Sequence, residues 1–210
     1  MGEPDLDGLL ARFTAWGAAP TVEGYVDLFA EGGTVFDSGM AAPLSGPQIE
    51  AAITSTLRLL DGFRLEPLRT GRDEDTLYVE ARNTARLAGR AIGWDAVYCM
   101  TAAGGRVQRG RRYWDQGPVF DLLTGGPAVE VPHPGAGPIS LRPVGVGHGA
   151  GGAWFREWSG TASPEGTPLP FDVMERWADG ATRWFANSLT LRPAALAAVH
   201  ELQARLSGPR

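Results

Sequence analysis

The chain of 210 residues contains no lysine: all nineteen of its Lys+Arg cations are arginine. That excludes a Schiff-base lysine, a phosphate-loop lysine and a lysine general base. The abundance of Ala, Gly, Pro and Arg beside this absence is what a GC-rich coding sequence gives. There is one cysteine, Cys99, so no disulfide can form within the chain, which fits a reducing cytoplasm. No apolar run approaches the roughly 20 residues of a membrane span. The acidic start, MGEPDLDGLL, has no apolar core of the kind a signal peptide carries. Basic excess is also missing. With 19 cations against 24 carboxylates the net charge is −5, which argues against a nucleic-acid partner.

What is present is an ordinary globular composition, 43% hydrophobic and 20% charged. Leu6, Leu9, Leu10, Phe13 and Trp16 recur at helical spacing. Gly17 to Pro20 interrupt them. Thr21 is placed to cap a second short helix carrying Val22, Tyr25, Val26 and Phe29, which Gly32-Gly33 end. TVFDSG reads as a short strand or turn. Ser45 reads as the cap of a third helix, with Pro47 in its first turn and Ile49, Ile53, Leu57 and Leu60 on one face.

From Phe63 the pattern becomes strands, predicted at 63–70, 76–87, 90–102 and 106–115 and separated by glycine-containing turns. IGWDAVYCM is apolar at nearly every position, so both of its faces are expected to be covered. This order predicts an α+β fold, with helices on one face of a curved antiparallel sheet.

A shift of about 76 residues reveals a self-match. Leu65 falls on Leu141, Gly71 on Gly147, Tyr78 on Trp154 and, after a one-residue slip, Asp95 on Asp172; RVQRGRRYWD faces roughly ATRWFANSLT. Residues 139–191 therefore read as a second four-strand meander without leading helices. The predicted division is 1–122 for the first domain, 123–138 for a Gly/Pro-rich connection, and 139–210 for the half-repeat with a C-terminal helix. That helix, with Pro193 in its first turn and Val199, Leu202 and Leu206 on one face, is expected on the concave side of the second sheet.

LFAEGGTVFDSG, PLSGPQIEAAI and GWDAVYCMTAAGGRVQRGRRYWD together resemble the nuclear-transport-factor-2-like superfamily. The nearest branches are the SnoaL-like polyketide cyclases and the ketosteroid isomerases. The resemblance covers about residues 5 to 122. It implies a cone of helices on a curved sheet, and proteins of this superfamily commonly dimerise sheet to sheet. Here the second meander is expected to supply that partner within one chain, as an internal pseudo-dimer in a monomer or weak homodimer.

The resemblance also implies chemistry. Asp37 matches the isomerase general base, and an unpaired carboxylate at the mouth of an apolar cavity would be well placed to move a proton. Asp95 matches the aspartic acid that stays protonated and donates to an oxyanion; its alternative is a buried partner for arginine, with Arg112 the obvious one. Arg112 and Trp114 share a strand face with Gly110, expected to be the cavity face, where an arginine can hold an enolate.

Phe13 stands where the isomerase helix has an oxyanion-donating tyrosine, so that donor is missing or comes from Tyr25, Tyr98 or Tyr113. Phe13, Trp16, Tyr25, Trp94, Tyr113 and Trp114 are the expected pocket. Limonene-epoxide hydrolases carry an aspartate at a position like Arg112, a departure that speaks against epoxide hydrolysis.

Gly147, Gly149 and Gly152 spell GxGxxG but lead into a strand, and so read as a loop. His133, His148 and His200 are scattered, with no metal-binding spacing and no cofactor motif. Cys99 is expected to be a core thiol. The function expected is a cofactor-independent cyclase, isomerase or dehydratase acting on a polyketide-like or apolar carbonyl compound. The alternatives are a non-catalytic binding module and an epoxide hydrolase.

Overall fold

In the computed structural model, which describes residues 4–37, 42–114, 139–162 and 169–186, the first apolar stripe forms α1 (Leu6–Ala18). Asp5 caps it by accepting from the Gly8 amide at 2.8 Å. Thr21 caps α2 (Val22–Asp27) in the same way, at 3.0 Å from the Gly24 amide. This helix stops before Phe29, which opens β1 (Phe29–Asp37) instead of closing the helix. After the two-residue strand β2 (Leu44–Ser45) comes α3 (Pro47–Leu59). Its cap is Gly46 rather than the expected Ser45; Ser45 donates its amide to the Gln48 side chain at 3.3 Å.

Four strands follow: β3 (Asp61–Asp73), β4 (Thr76–Leu87), β5 (Arg90–Ala103) and β6 (Arg106–Trp114). The second group is β7 (Ile139–Gly149), β8 (Trp154–Ala162), β9 (Leu169–Ala178) and β10 (Ala181–Ala186). All ten strands form one sheet, ordered β10-β9-β8-β7-β3-β4-β5-β6-β1-β2. The pairs are antiparallel except β1 with β6, which run parallel, so the fold is α+β with a mixed sheet. The connection expected at 123–138 and the C-terminal helix lie outside the described residues.

The two faces of β3–β6 bury different partners. On one face Leu9, Phe13 and Trp16 of α1 meet Phe63, Leu65, Val79, Trp94, Tyr98 and Met100. On the other, Tyr78, Val97, Cys99 and Tyr113 meet Phe155, Met174 and Phe185 of the second meander. This double cover explains why β5 is apolar throughout. Fully burying each large apolar side chain contributes about 1.5–3 kcal/mol.

The register refines the repeat. Asn83 opposes Trp94, and Gly160 opposes Phe171, which sets an offset of 77 for β4/β8 and β5/β9. Tyr78 therefore matches Phe155, not Trp154. The slip lies before β8, and a one-residue slip exchanges the two faces of a strand. Ala96 opposes Trp114 and Val173 opposes Ala186, so Arg111 matches Arg183 and Tyr113 matches Phe185.

With these matches the contacts between the repeats are reciprocal. Tyr78 stacks on its own counterpart Phe155, ring centroids 5.8 Å apart and 14° from parallel. Arg72 opposes its own counterpart His148 across the short β3–β7 pairing. Arg111 reaches Glu157 at 2.7 Å, and its counterpart Arg183 reaches Glu80, the counterpart of Glu157, at 3.3 Å. Gly71 and Gly147 make room for the rings. A Cβ on Gly71 would lie 2.5 Å from Phe155, and one on Gly147 would lie 2.3 Å from Tyr78.

Candidate active site

Asp37 ends β1 directly opposite Arg112 on the parallel strand β6. Gly110, Arg112 and Trp114 alternate onto one face of β6, the face covered by the helices. The Arg112 guanidinium donates to the Asp37 carboxylate. Trp114 Nε1 approaches the other carboxylate oxygen at 3.4 Å. The guanidinium also lies 5.1 Å from the centre of the Trp114 ring, a cation–π contact. Asp37 is buried at 7% exposure. The carboxylate expected to be unpaired is therefore held by an arginine, because parallel pairing of β1 with β6 brings the two together.

Beside this pair lies a cavity walled by Phe13 and Trp16 of α1, Tyr25 of α2, Ile53 of α3, and Tyr98 and Met100 of β5. Its volume is about 110 Å³, against the roughly 10–15 Å³ that one water needs on the same measure. It therefore has room for a small organic molecule. The walls are apolar, and Asp37 and Arg112 line one part of them.

Two phenols complete the polar groups. Tyr98 donates its hydroxyl to Asn83 Oδ1 at 2.9 Å, and Asn83 is fully buried. Burial pushes the Tyr98 phenol well above the ordinary tyrosine range, with Arg112 pulling partly the other way. The same balance raises Tyr25, with Asp37 adding to the rise. Both phenols stay protonated near neutral pH. For Arg112, burial disfavours the cation, but its neighbours together, the Asp37 carboxylate foremost, outweigh burial and keep it charged.

Phe13, Trp16 and Tyr25 line the cavity, whereas Trp114 is not among its lining residues. The missing first-helix phenol has a neighbour in its place: the Phe13 ring packs edge-on against Tyr98 at 5.0 Å. Trp94 is on the helix-covered face but behind the wall, packed against Phe63 at 6.0 Å and Trp114 at 5.6 Å. Its indole Nε1 is buried without a hydrogen-bond partner among the described residues.

Two expected residues are elsewhere. Tyr113 alternates onto the opposite face of β6, where its hydroxyl donates to Glu157 between the repeats. Asp95 is also on the opposite face of its strand, held by Arg82 at 2.9 Å and Arg183 at 2.8 Å. Burial works to raise the Asp95 pKa, but the two guanidiniums win and hold it below the ordinary carboxylate value. Asp95 is an ionised anchor between the repeats and not a protonated donor in the cavity; its arginine partners are Arg82 and Arg183, not Arg112.

This sets a pH dependence. A carboxylate with a lowered folded pKa stabilises the fold above its unfolded value near 4, and that contribution is lost as the pH falls below it. Melting curves between about pH 6 and pH 3 are expected to show the wild-type advantage over Asp95→Asn shrinking toward acid. A constant gap would contradict this account.

Sequence reading missed Asn83 and the inter-repeat carboxylates Glu80 and Glu157. Glu80, in TLYVEAR, was the visible signal: a lone charge inside an apolar strand needs partners. Cys99 is a buried thiol as expected, and burial pushes its pKa up. Among the described residues no group of three or more His, Cys, Asp or Glu is placed to hold a metal ion, and no helix is long and apolar enough to cross a membrane.

No family model and no curated protein matches this sequence. Solved structures do. A protein of ketosteroid-isomerase-like fold from Catenulispora acidiphila DSM 44928, in complex with trimethylamine, is 19% identical with a TM-score of 0.51; the match covers 62% of this chain and 99% of that one. AclR, a putative hydroxylase from Streptomyces galilaeus, is 15% identical over 60% of this chain and 84% of its own, at a TM-score of 0.52. TerC, co-crystallised with polyporic acid, is 19% identical over 58% of this chain and 99% of its own, at a TM-score of 0.50. These likenesses establish the ketosteroid-isomerase-like fold that the sequence resemblance implied.

Proposed function

We propose that this chain, built on the ketosteroid-isomerase-like fold, is a cofactor-independent enzyme of the SnoaL-like kind. It would move a proton beside a carbonyl group of a small, largely apolar, polyketide-like substrate. The observation that carries this reading is the Asp37–Arg112 pair, with Trp114 against it, lining an otherwise apolar cavity. Two of the three structural neighbours were solved with small organic molecules, which supports a small-molecule role.

In this reading Asp37 removes a proton from the carbon next to the carbonyl. The C–H electron pair moves onto the carbonyl oxygen, and Arg112 holds the developing charge in a low-dielectric pocket. In a cyclisation the enolate carbon bonds to a second carbonyl carbon of the same substrate, and the proton on Asp37 passes to that carbonyl oxygen. In an isomerisation the proton returns to a different carbon. The apolar walls exclude water, and Tyr25, which also lines the cavity, would donate a further hydrogen bond.

The test needs no natural substrate. In D2O, an enolising enzyme exchanges the α-hydrogens of a bound model diketone with solvent, and proton NMR follows their loss. A chain that binds such compounds, detected by quenching of tryptophan fluorescence, without accelerating exchange is a binding module. One observation favours that second reading: Asp37 is already engaged by Arg112 at rest, a compensated arrangement that suits passive binding.

The second repeat is read, within the same proposal, as the sheet-covering partner of an internal pseudo-dimer, leaving the chain a monomer. A monomer unfolds at a denaturant midpoint independent of protein concentration. A midpoint that rises with concentration would refute this.

A further inference from the structure

Asp37, Arg112 and Tyr98 stand in one row across three strands. Asp37 of β1 is the register partner of Arg112 on β6, and Arg112 is the register partner of Tyr98 on β5. All three line the cavity. Directly opposed side chains on one face of an antiparallel pair are neighbours. The guanidinium therefore lies between the carboxylate to which it donates and a phenol. Burial raises the Tyr98 pKa, and Arg112 pulls it the other way, both as a charge and as a hydrogen-bond donor.

The phenol is itself held. A tyrosine hydroxyl has one proton to give and lone pairs with which to accept. Tyr98 gives its proton to Asn83 Oδ1 at 2.9 Å. Asn83 lies on β4, opposite Trp94. Its Nδ2 is turned toward the Trp94 carbonyl oxygen at 3.5 Å, which leaves Oδ1 for the phenol. Asn83 has no exposed surface, and its neighbours on the same strand face are the buried Ala81 and Ala85. An amide buried among apolar side chains costs free energy unless its hydrogen bonds are made. With its proton directed to Asn83, the Tyr98 oxygen has lone pairs alone to offer Arg112 and the cavity. A phenol in that state accepts from a guanidinium and does not donate to a substrate oxyanion.

We propose that Asn83 is a positioning residue: by taking the Tyr98 proton it makes Tyr98 an acceptor, and so holds the Arg112 guanidinium between Asp37 and Tyr98. Tyr98 is then a support of Arg112, not a substitute for the oxyanion donor missing at Phe13. This rests on the reading of Arg112 as the group that meets negative charge in the cavity, but not on turnover.

The test uses 4-nitrophenolate, a flat ring carrying a delocalised negative charge, with its affinity measured by calorimetric titration in mildly alkaline buffer. Asn83→Leu keeps the number of side-chain heavy atoms and suits the apolar face. It is expected to weaken binding about 3–10-fold, the worth of roughly one net hydrogen bond. Tyr98→Phe is expected to weaken it by a similar factor. The double variant should bind no more weakly than Tyr98→Phe alone, because Asn83 acts through the hydroxyl. Losses that multiply, or an unchanged affinity in either single variant, overturn the proposal. Tighter binding in Asn83→Leu also overturns it, since a phenol released from Asn83 would then be donating to the anion itself. A wild type that does not bind the anion overturns it as well. Asn83→Ala, which removes the acceptor without adding bulk, gives the same readings should the leucine variant fail to fold. The two proposals fail separately: a wild type that binds the anion and shows this pattern, yet exchanges no α-hydrogens, refutes the enzyme reading only.

Discussion

Glu80→Gln is expected to destabilise the protein by about 3–5 kcal/mol, the usual cost of removing one partner from a buried ion pair. Glu80 has no exposed side-chain surface and is held by Arg176 at 2.8 Å and by Arg69 and Arg183 at 3.3 Å each. Arg69 and Arg183 have second partners in Asp179 and Asp95 and are part-exposed. Arg176 is different. It is 4% exposed, Glu80 is its ion-pair partner among the described residues, and its Nε already lacks an acceptor. Neutralising Glu80 therefore strands a buried guanidinium between the repeats. Denaturant unfolding measures the loss. Arg183→Gln, which leaves Glu80 two arginines, is expected to cost about 1 kcal/mol or less, as for a part-exposed pair. Glu80→Leu combined with Arg176→Met is expected to regain most of the stability, since a well-packed apolar pair often replaces a buried ionic one without loss. A single Glu80→Gln variant within 1 kcal/mol of wild type would show that the network is not holding the repeats together.

On the catalytic side, Asp37→Asn is expected to slow α-proton exchange by about 10²–10⁴-fold, the range for losing a general base. Ligand binding should persist, because asparagine keeps the shape and one acceptor oxygen. Arg112→Ala is expected to slow exchange by about 10²–10³-fold, the cost of losing one donor to a developing oxyanion. It also opens a space that free guanidinium can fill. Partial recovery on adding guanidinium, at concentrations too low to unfold the chain, separates a charge-stabilising role from a structural one. Exchange at the wild-type rate in Asp37→Asn would remove this residue from the chemistry and leave the binding-module reading.

Much of this was legible in the sequence. The apolar stripe of α1, the Thr21 cap and the meander limits follow from local chemistry: spacing, a side-chain acceptor, and glycine turns. Asp37 and Arg112 were each legible as site residues but not as partners, since the sequence pointed to Asp95 as the carboxylate for Arg112. Their contact depends on β1 running parallel to β6, which no local pattern encodes. Asp95 and Tyr113 failed for different reasons, the first because of the strand that Asp95 sits on. β5 is buried on both sides, so its composition does not say which face looks at the cavity. For Tyr113 the alternation was decisive and available: if Arg112 and Trp114 face inward, the residue between them cannot. The repeat was detectable by letters, but its register was not. A one-residue slip moved Phe155 between faces, and only cross-strand partners show where the slip falls.

The reciprocal contact between the repeats has one more consequence. In a pair of identical chains every substitution appears twice, once on each side of the axis, so complementarity is bound to be symmetric. Here each position changes alone. Cys99 faces Glu157 at 3.9 Å, whereas its counterpart Arg176 forms a full ion pair with Glu80; Tyr113 donates to Glu157, whereas its counterpart Phe185 has no hydroxyl to give. The two halves are free to specialise, so one can keep a chamber while the other becomes the wall that supports it.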